Sequence, residues 1–410
     1  MNQPKIKTTK IFVKQSIQYW HLLMTQKNNH EELKKKLLHS LKLEIPNIIS
    51  LVMERTCNLN CRHCCFQTEK TSQKYSQKNN LDVIIYNLVK QMPSAQDSPH
   101  FERPCLIHTG RTLKLWHLDI LSKVKKIKPD LELGLIDNGS FTNLFESTVC
   151  NQRNFPIKFD FIDISIEGPK KIHNLQRDPA GQKAFTTAVN GLKQAKKMLT
   201  KDGRLSALMT LTSLNYNHIE ETVKFLFSKK YVDELHITTM NPALPKNFQI
   251  EISVEQLKIA LEQIKKVCQQ YKRRIFFKIY NYQDLSKLIE IIGEKKFRQI
   301  FINKIFFSTG VITFNLNGLN IMYYPSSMWP LESFLIDADA CNRTAYSHSY
   351  TLCQLRNNSN FKKYTVTQLT GEENYKQACQ KQTMYWWKYF GQEFLDKEQM
   401  LFKNIRADHI

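Results

Sequence analysis

Between residues 48 and 240, short apolar, β-prone runs alternate with stretches whose apolar residues recur every three to four positions. The runs near 48–54, 104–109, 131–137, 159–167, 204–213 and 233–239 read as buried strands. Helical spacing links Ala188, Val189, Leu192, Ala195 and Leu199, and then Ile219, Val223, Leu226 and Phe227. Strands that alternate with helices predict a parallel sheet, because parallel neighbours need a crossover. Six such repeats make an α/β fold of the incomplete (β/α)6 TIM-like barrel type, with its working end at the C-terminal ends of the strands.

The flanks read differently. Residues 1–46 form a basic helical extension, with Leu33, Leu37, Leu38 and Leu41 on one helical face. The barrel occupies 47–245 and ends at Pro242 and Pro245. Residues 246–305 read as a helical connection, with helices near 253–270 and 283–303. In the 306–410 segment, Asn317-Gly318 between two β-prone runs is a hairpin signal, so a smaller α+β domain is expected there. Its tail carries Trp386, Trp387, Tyr389 and Phe390, aromatic bulk suited to docking a helix.

Length and composition fit this division. A chain of 410 residues exceeds what one core usually supports, and 42% hydrophobic with 23% charged residues is an ordinary globular balance. The net charge of +22 raises the question of nucleic acid. Much of the lysine lies along helical stretches such as Glu31–Lys36, which reads as a solvated face, and no aromatic-interleaved basic motif accompanies it. An acidic peptide or another polyanion stays open as a partner. No apolar run reaches the length of a membrane span, and the polar N-terminus lacks the apolar core of a signal peptide, so the reading is cytoplasmic with no membrane partner. Ten cysteines then point to metal or redox chemistry instead of disulfides.

Four of those cysteines fall within nine residues: Cys57, Cys61, Cys64 and Cys65. The C-x3-C-x2-C spacing of the first three lets each thiolate ligate one iron of a cubane while the fourth iron stays open. The rival is structural zinc, with His63 or Cys65 as fourth ligand, although such sites usually come as two separated pairs. This spacing, after a strand and opening a βα repeat, resembles the radical S-adenosylmethionine (SAM) superfamily. Ile164–Arg177, ISIEGPKKIHNLQR, is similar to the S-x-D-G-P…H-x-x-x-R stretch of the anaerobic sulfatase-maturase and peptide-maturase branch, which carries a C-terminal SPASM or twitch domain. Asp137-Asn138-Gly139 resembles the branch's T-N-G turn, or is simply a turn.

The resemblance implies a [4Fe–4S] cluster on Cys57, Cys61 and Cys64, SAM chelated to the open iron, and an adenosyl radical that takes hydrogen from a peptide or protein. It implies a flavodoxin- or ferredoxin-like reducing partner. It also nominates His63, Thr109, Gly110, Thr112, Asn138, Ser165 and Arg177 as cofactor-binding residues, and it nominates no catalytic residue. Cys65 reads as a buried thiol, and Glu167 stands where the branch has aspartate. Two motifs depart from the family. His108–Leu113, HTGRTL, replaces G-G-E-P and loses its glutamate, a charge-assisted hydrogen bond worth about 1.5 to 3 kcal/mol. The C-terminal cluster ligands are missing as well: Tyr323 takes a cysteine position, and Cys341, Cys353 and Cys379 fit no cluster spacing. Radical tailoring of a sugar or nucleoside is an alternative activity; a zinc-bearing nucleic-acid-binding protein is the alternative class.

Overall fold

The computed structural model describes residues 48–53, 57–64, parts of 82–94, 104–109, 113–146, 157–178, 181, 183–240, 249–271, 274–279, 282–302, 305–306, 312–323, 333–337, 341–344 and 364–365. The basic extension, Cys65, Gly110, Arg111, Thr112, Cys353, Cys379 and the aromatic tail lie outside these.

Six strands stand where the apolar runs place them: β1 (Ile48–Val52), β2 (Cys105–His108), β3 (Glu132–Asp137), β4 (Phe159–Ser165), β5 (Leu199–Leu211) and β6 (Glu234–Thr239). The described helices among them are α1 (Leu115–Ile127), α2 (Lys170–Arg177), α3 (Ala184–Ala195) and α4 (Ile219–Ser228). Beyond them come α5 (Val254–Gln270), β7 (Arg274–Ile279), α6 (Tyr282–Ile292), α7 (Glu294–Ile302), β8 (Ile305–Phe306), β9 (Ile312–Leu316) and β10 (Leu319–Tyr323). Three further strands follow, β11 (Ser333–Asp337), β12 (Cys341–Thr344) and β13 (Tyr364–Thr365).

All of the strands join one sheet in the order β13-β12-β11-β1-β2-β3-β4-β5-β6-β7-β10-β9-β8. From β11 through β1–β7 to β10 every pairing is parallel, and antiparallel strands finish both edges.

Side chains alternate across this sheet with period two. One face is the core: Leu205, Ala207, Met209 and Leu211 of β5, Leu235 and Ile237 of β6, and Ile275, Phe277 and Ile279 of β7 are buried with the helices' apolar residues. Ile219, Val223, Leu226 and Phe227 of α4 and Ala188, Leu192 and Ala195 of α3 supply them, as their spacing predicts. The opposite, inner face carries Phe161, Asp163 and Ser165, paired in register with Arg204, Ser206 and Leu208, and then Glu234, His236 and Thr238. Mostly apolar on one side and carrying most of its charged groups on the other, the sheet is a partial barrel with a chemically equipped interior.

Helix ends are fixed by specific groups. At the start of α5, Ser253 Oγ accepts from the Gln256 amide while Gln256 Oε1 accepts from the Ser253 amide, a reciprocal capping box. Gln263 of the same helix reaches over to α4, where its Oε1 accepts from the Ile219 and Glu220 amides.

Two departures from the sequence reading have local causes. Leu199 opens β5, so the helical stripe stops at Ala195 and the strand begins earlier than residue 204. The 246–305 connection, read with helices near 253–270 and 283–303, also contains β7 in the interval between them, where Ile275, Phe277 and Ile279 alternate with Arg274, Phe276 and Lys278. The hairpin forms as expected, with Asn317 (φ 52°) and Gly318 (φ 93°) both left-handed, as a two-residue turn of this kind needs. It extends the barrel sheet, since β10 lies parallel to β7. Among the described residues no helix is long and apolar enough to cross a membrane.

Candidate functional site

The cysteine loop, Cys57–Cys64, leaves the C-terminal end of β1, the end at which β2, β3 and β4 deliver Thr109, Asn138 and Ser165. Hydrogen bonds help set its path. The Arg62 amide donates to the Gln176 carbonyl at 2.8 Å, the Cys64 amide donates to the Cys61 carbonyl at 3.3 Å, and Asn138 Nδ2 donates to Asn58 Oδ1 at 2.9 Å. Asn138 is held in turn by the Ser140 amide, which donates to its Oδ1 at 3.0 Å. The turn carrying Asn138 depends on Gly139, whose φ of +90° favours glycine and whose Cβ would meet the α3 backbone at Ala188 Cα, 2.7 Å away.

Beneath the loop lies a buried polar network centred on Glu167. Its Oε1 accepts from Arg177 Nη2 at 2.6 Å and Nε at 2.8 Å, and its Oε2 accepts from the Thr210 amide at 2.6 Å. Burial pushes the Glu167 carboxyl up, opposed by Arg177 and the Thr210 amide. Burial pulls Arg177 down, but Glu167 and Cys61 more than offset this and raise it, so the guanidinium stays charged. Two of the guanidinium nitrogens of Arg177 are thus engaged by a carboxylate of the chain itself. The remaining nitrogen, Arg177 Nη1, lies 3.9 Å from Cys61 Sγ.

His63 belongs to the same network. Gln176 Nε2 contacts His63 Nδ1 at 3.2 Å and the Thr210 carbonyl at 3.1 Å, while His63 Nε2 faces Glu167 Oε1 at 3.5 Å. With Gln176 donating to Nδ1, the imidazole proton belongs on Nε2, toward the carboxylate. Asn215 closes the base, donating to the carbonyls of Glu167 and Thr210 at 2.9 Å each and accepting from the Thr212 amide at 2.8 Å.

The donor set suits an iron–sulfur cluster. Three thiols stand within eight residues of one anchored loop, and the charges of Cys64 and Cys57 act on Cys61. Burial pushes the Cys61 thiol up to about 12, with Arg177 opposing it, so bound metal would have to displace its proton. Among the described residues no three His, Cys, Asp or Glu side chains are arranged to hold a single metal ion. Cys57 and Cys268 are free thiols.

Of the other nominated residues, Ser165 is buried at the end of β4 on the inner face, opposite Leu208. Thr109 is half-buried, and its amide donates to the Leu51 carbonyl at 2.9 Å. Gly110 and Thr112 lie outside the described residues.

Sequence reasoning passed over Gln176, Asn215 and Asp137. Gln176 sits beside Arg177 inside the H-x-x-x-R stretch, and its position was the available signal. Asp137 gathers two loops: its Oδ1 accepts from the Gly139 amide at 2.7 Å and its Oδ2 from the Leu113 amide at 3.2 Å. Burial nevertheless pushes its carboxyl up to about 6.

No protein-family model and no curated protein sequence matches the chain. Solved structures do. Streptococcus suis SuiB bound to S-adenosylmethionine aligns with a TM-score of 0.53 at 12% identity, over 85% of this chain and 70% of that one. SuiB bound to the precursor peptide SuiA aligns with a TM-score of 0.50 at 12% identity, over 88% and 76%. At this identity the likeness establishes a shared fold.

Proposed function

We propose that the chain is a radical SAM enzyme in which Cys57, Cys61 and Cys64 hold a [4Fe–4S] cluster, the adjoining strand ends bind SAM, and the substrate is a peptide or protein. The observation that carries this reading is the C-x3-C-x2-C loop docked on the H-x-x-x-R helix, its Arg62 amide on the Gln176 carbonyl and Arg177 beside Cys61. When bound, cluster and SAM together supply a carbon radical able to take a hydrogen atom from the substrate.

The chain's own residues prepare that chemistry. Arg177, fixed by Glu167, holds a positive charge against the Cys61 sulfur, which favours the thiolate a metal needs. His63, oriented by Gln176 and Glu167, gives the loop a flat ring for the adenine to pack near. Asn138, Ser165 and Thr109 stand at successive strand ends for SAM's polar groups, with Gly110 and Thr112 completing the set. The inner face supplies the substrate's walls and excludes water.

The peptide substrate is supported by the shared fold of SuiB, which is seen with its precursor peptide. The reductant is a flavodoxin- or ferredoxin-like protein, and a cytoplasmic setting keeps the thiols reduced. With Tyr323 buried on the core face, the 306–410 segment contributes no cluster ligand from the hairpin. The test is anaerobic reconstitution followed by assay of iron, sulfide and dithionite-driven 5′-deoxyadenosine. About four irons per chain and SAM cleavage are expected from wild type. Neither is expected from the Cys57/Cys61/Cys64 triple alanine variant, and cleavage retained by that variant overturns the reading.

A further inference from the structure

A second set of charged groups, separate from the cysteine site, lines the inner face of β6 and β7. Arg274 Nη1 meets Glu234 Oε1 at 3.2 Å, Glu234 Oε2 meets His236 Nε2 at 3.3 Å, and His236 Nδ1 meets Lys278 Nζ at 3.2 Å. The order fixes the protons. Glu234 takes the Nε2 proton of a neutral imidazole, whose Nδ1 lone pair then accepts from the ammonium. His236 is braced edge-on by Phe276, with ring centroids 5.4 Å apart.

Lys278 therefore ends the chain with an unusual deficit. An ammonium has three donors, and its hydrogen bond among the described residues goes to a neutral nitrogen. No described carboxylate lies within the 4.0 Å of an ion pair, although Asp163 and Glu234 act on it from farther away. Burial pushes its amine down. A half-buried cation in this state is stabilised by an incoming anion, because desolvated charges are normally paired.

Its place in the fold says what would bring that anion. Lys278 is the next-to-last residue of β7, in register with Thr238 and Met322, so its side chain lies on the inner face near the C-terminal ends of the strands. The cysteine loop opens at the same end. The surrounding charges sum to a positive excess: Arg204, Arg274 and Lys278 against Asp163 and Glu234. The whole chain carries +22, which draws acidic molecules toward it.

We infer that Lys278, oriented by the Glu234–His236 pair, is a substrate-anchoring residue that binds a carboxylate of an acidic peptide inside the barrel. This rests on the reading of the chain as a peptide-modifying enzyme and adds the chemistry of its substrate. Planar Arg274 already meets the Glu234 carboxylate; the compact ammonium of Lys278 suits one oxygen.

The test uses the full chain and three capped pentapeptides bearing a neutral dye: Gly-Ala-Glu-Ala-Gly amide, its Gln counterpart, and the Gln peptide with a free C-terminal carboxylate. Fluorescence anisotropy should show the Glu peptide, the free-acid peptide or both binding at least about ten-fold tighter than the Gln amide, and which of them does so identifies the carboxylate. Lys278→Met should erase that preference, while Lys278→Arg keeps most of it. Lys224→Met, which removes an exposed charge from α4, should leave it intact. Circular dichroism confirms folding, and the Arg variant carries the decision if the Met variant unfolds. Equal binding of all three peptides, or the same loss from Lys224→Met as from Lys278→Met, overturns the inference. SAM cleavage by wild type is scored separately, so failure of the carboxylate site and failure of the radical SAM reading give different results.

Discussion

Glu167 and Arg177 form a buried ion pair, 2.6 Å from oxygen to nitrogen, in which both guanidinium contacts fall on a single carboxylate oxygen. The other oxygen is left for the Thr210 amide, so one residue joins helix, strand and cysteine loop.

Removing either partner strands a largely desolvated charge, with Glu167 at 0% and Arg177 at 11% side-chain exposure. Arg177→Met and Glu167→Gln should each cost about 3 to 5 kcal/mol. Urea denaturation measures it. The double variant should recover part of the loss, because two neutral groups leave no unpaired charge. A cost below about 1 kcal/mol for both single variants would mean that water reaches the pair.

Gly191 of α3 packs directly on the turn that presents Asn138: a Cβ there would lie 2.5 Å from Gly139 Cα and 3.1 Å from its carbonyl oxygen. Gly191→Ala should gain up to about 1 kcal/mol in helix propensity. Overpacking against backbone should cost about 1 to 3 kcal/mol. The expected net effect is destabilisation, read as a lower melting temperature. A higher one would show that α3 can slide outward freely.

Asp137 contributes to stability in the opposite sense to an ion-paired carboxylate, whose folded value is lowered. Its folded value of about 6 lies above the usual 3.8, so the stability it contributes is full below pH 3.8 and is lost as the pH rises through 6. Asp137→Asn should be less stable than wild type at low pH, since it loses an acceptor. The gap should narrow by about 2 to 3 kcal/mol between pH 4 and pH 7. Denaturation of both proteins at the two pH values decides it. A gap that widens would mean that the backbone donors on Asp137 outweigh its burial.

The barrel strands were legible because each is a run that one face must bury, as with Leu205, Ala207, Met209 and Leu211. Strand β7 was not, since Arg274 and Lys278 break a short run that follows a long amphipathic helix, and only the sheet reveals why they alternate. In the site, residues within compact motifs could be named from spacing. Gln176 and Asn215 act through carbonyls and side chains distant in sequence, and no local pattern marks such partners. The Glu234–His236–Lys278 series runs across neighbouring strands, so it exists only once the register is known.

The strand order also limits how wide the molecule can open. β10 and β11 follow one another in sequence, yet eight strand spacings separate them in the sheet, about 38 Å if it were flat. Because both run in the same direction, the chain must also travel back a strand's length. Ten peptide steps from Tyr323 to Ser333 reach at most about 36 Å. A flat sheet is therefore impossible, and the connection works as a leash between the two halves. How far β10 and β11 can move apart is capped by the length of covalent chain between them.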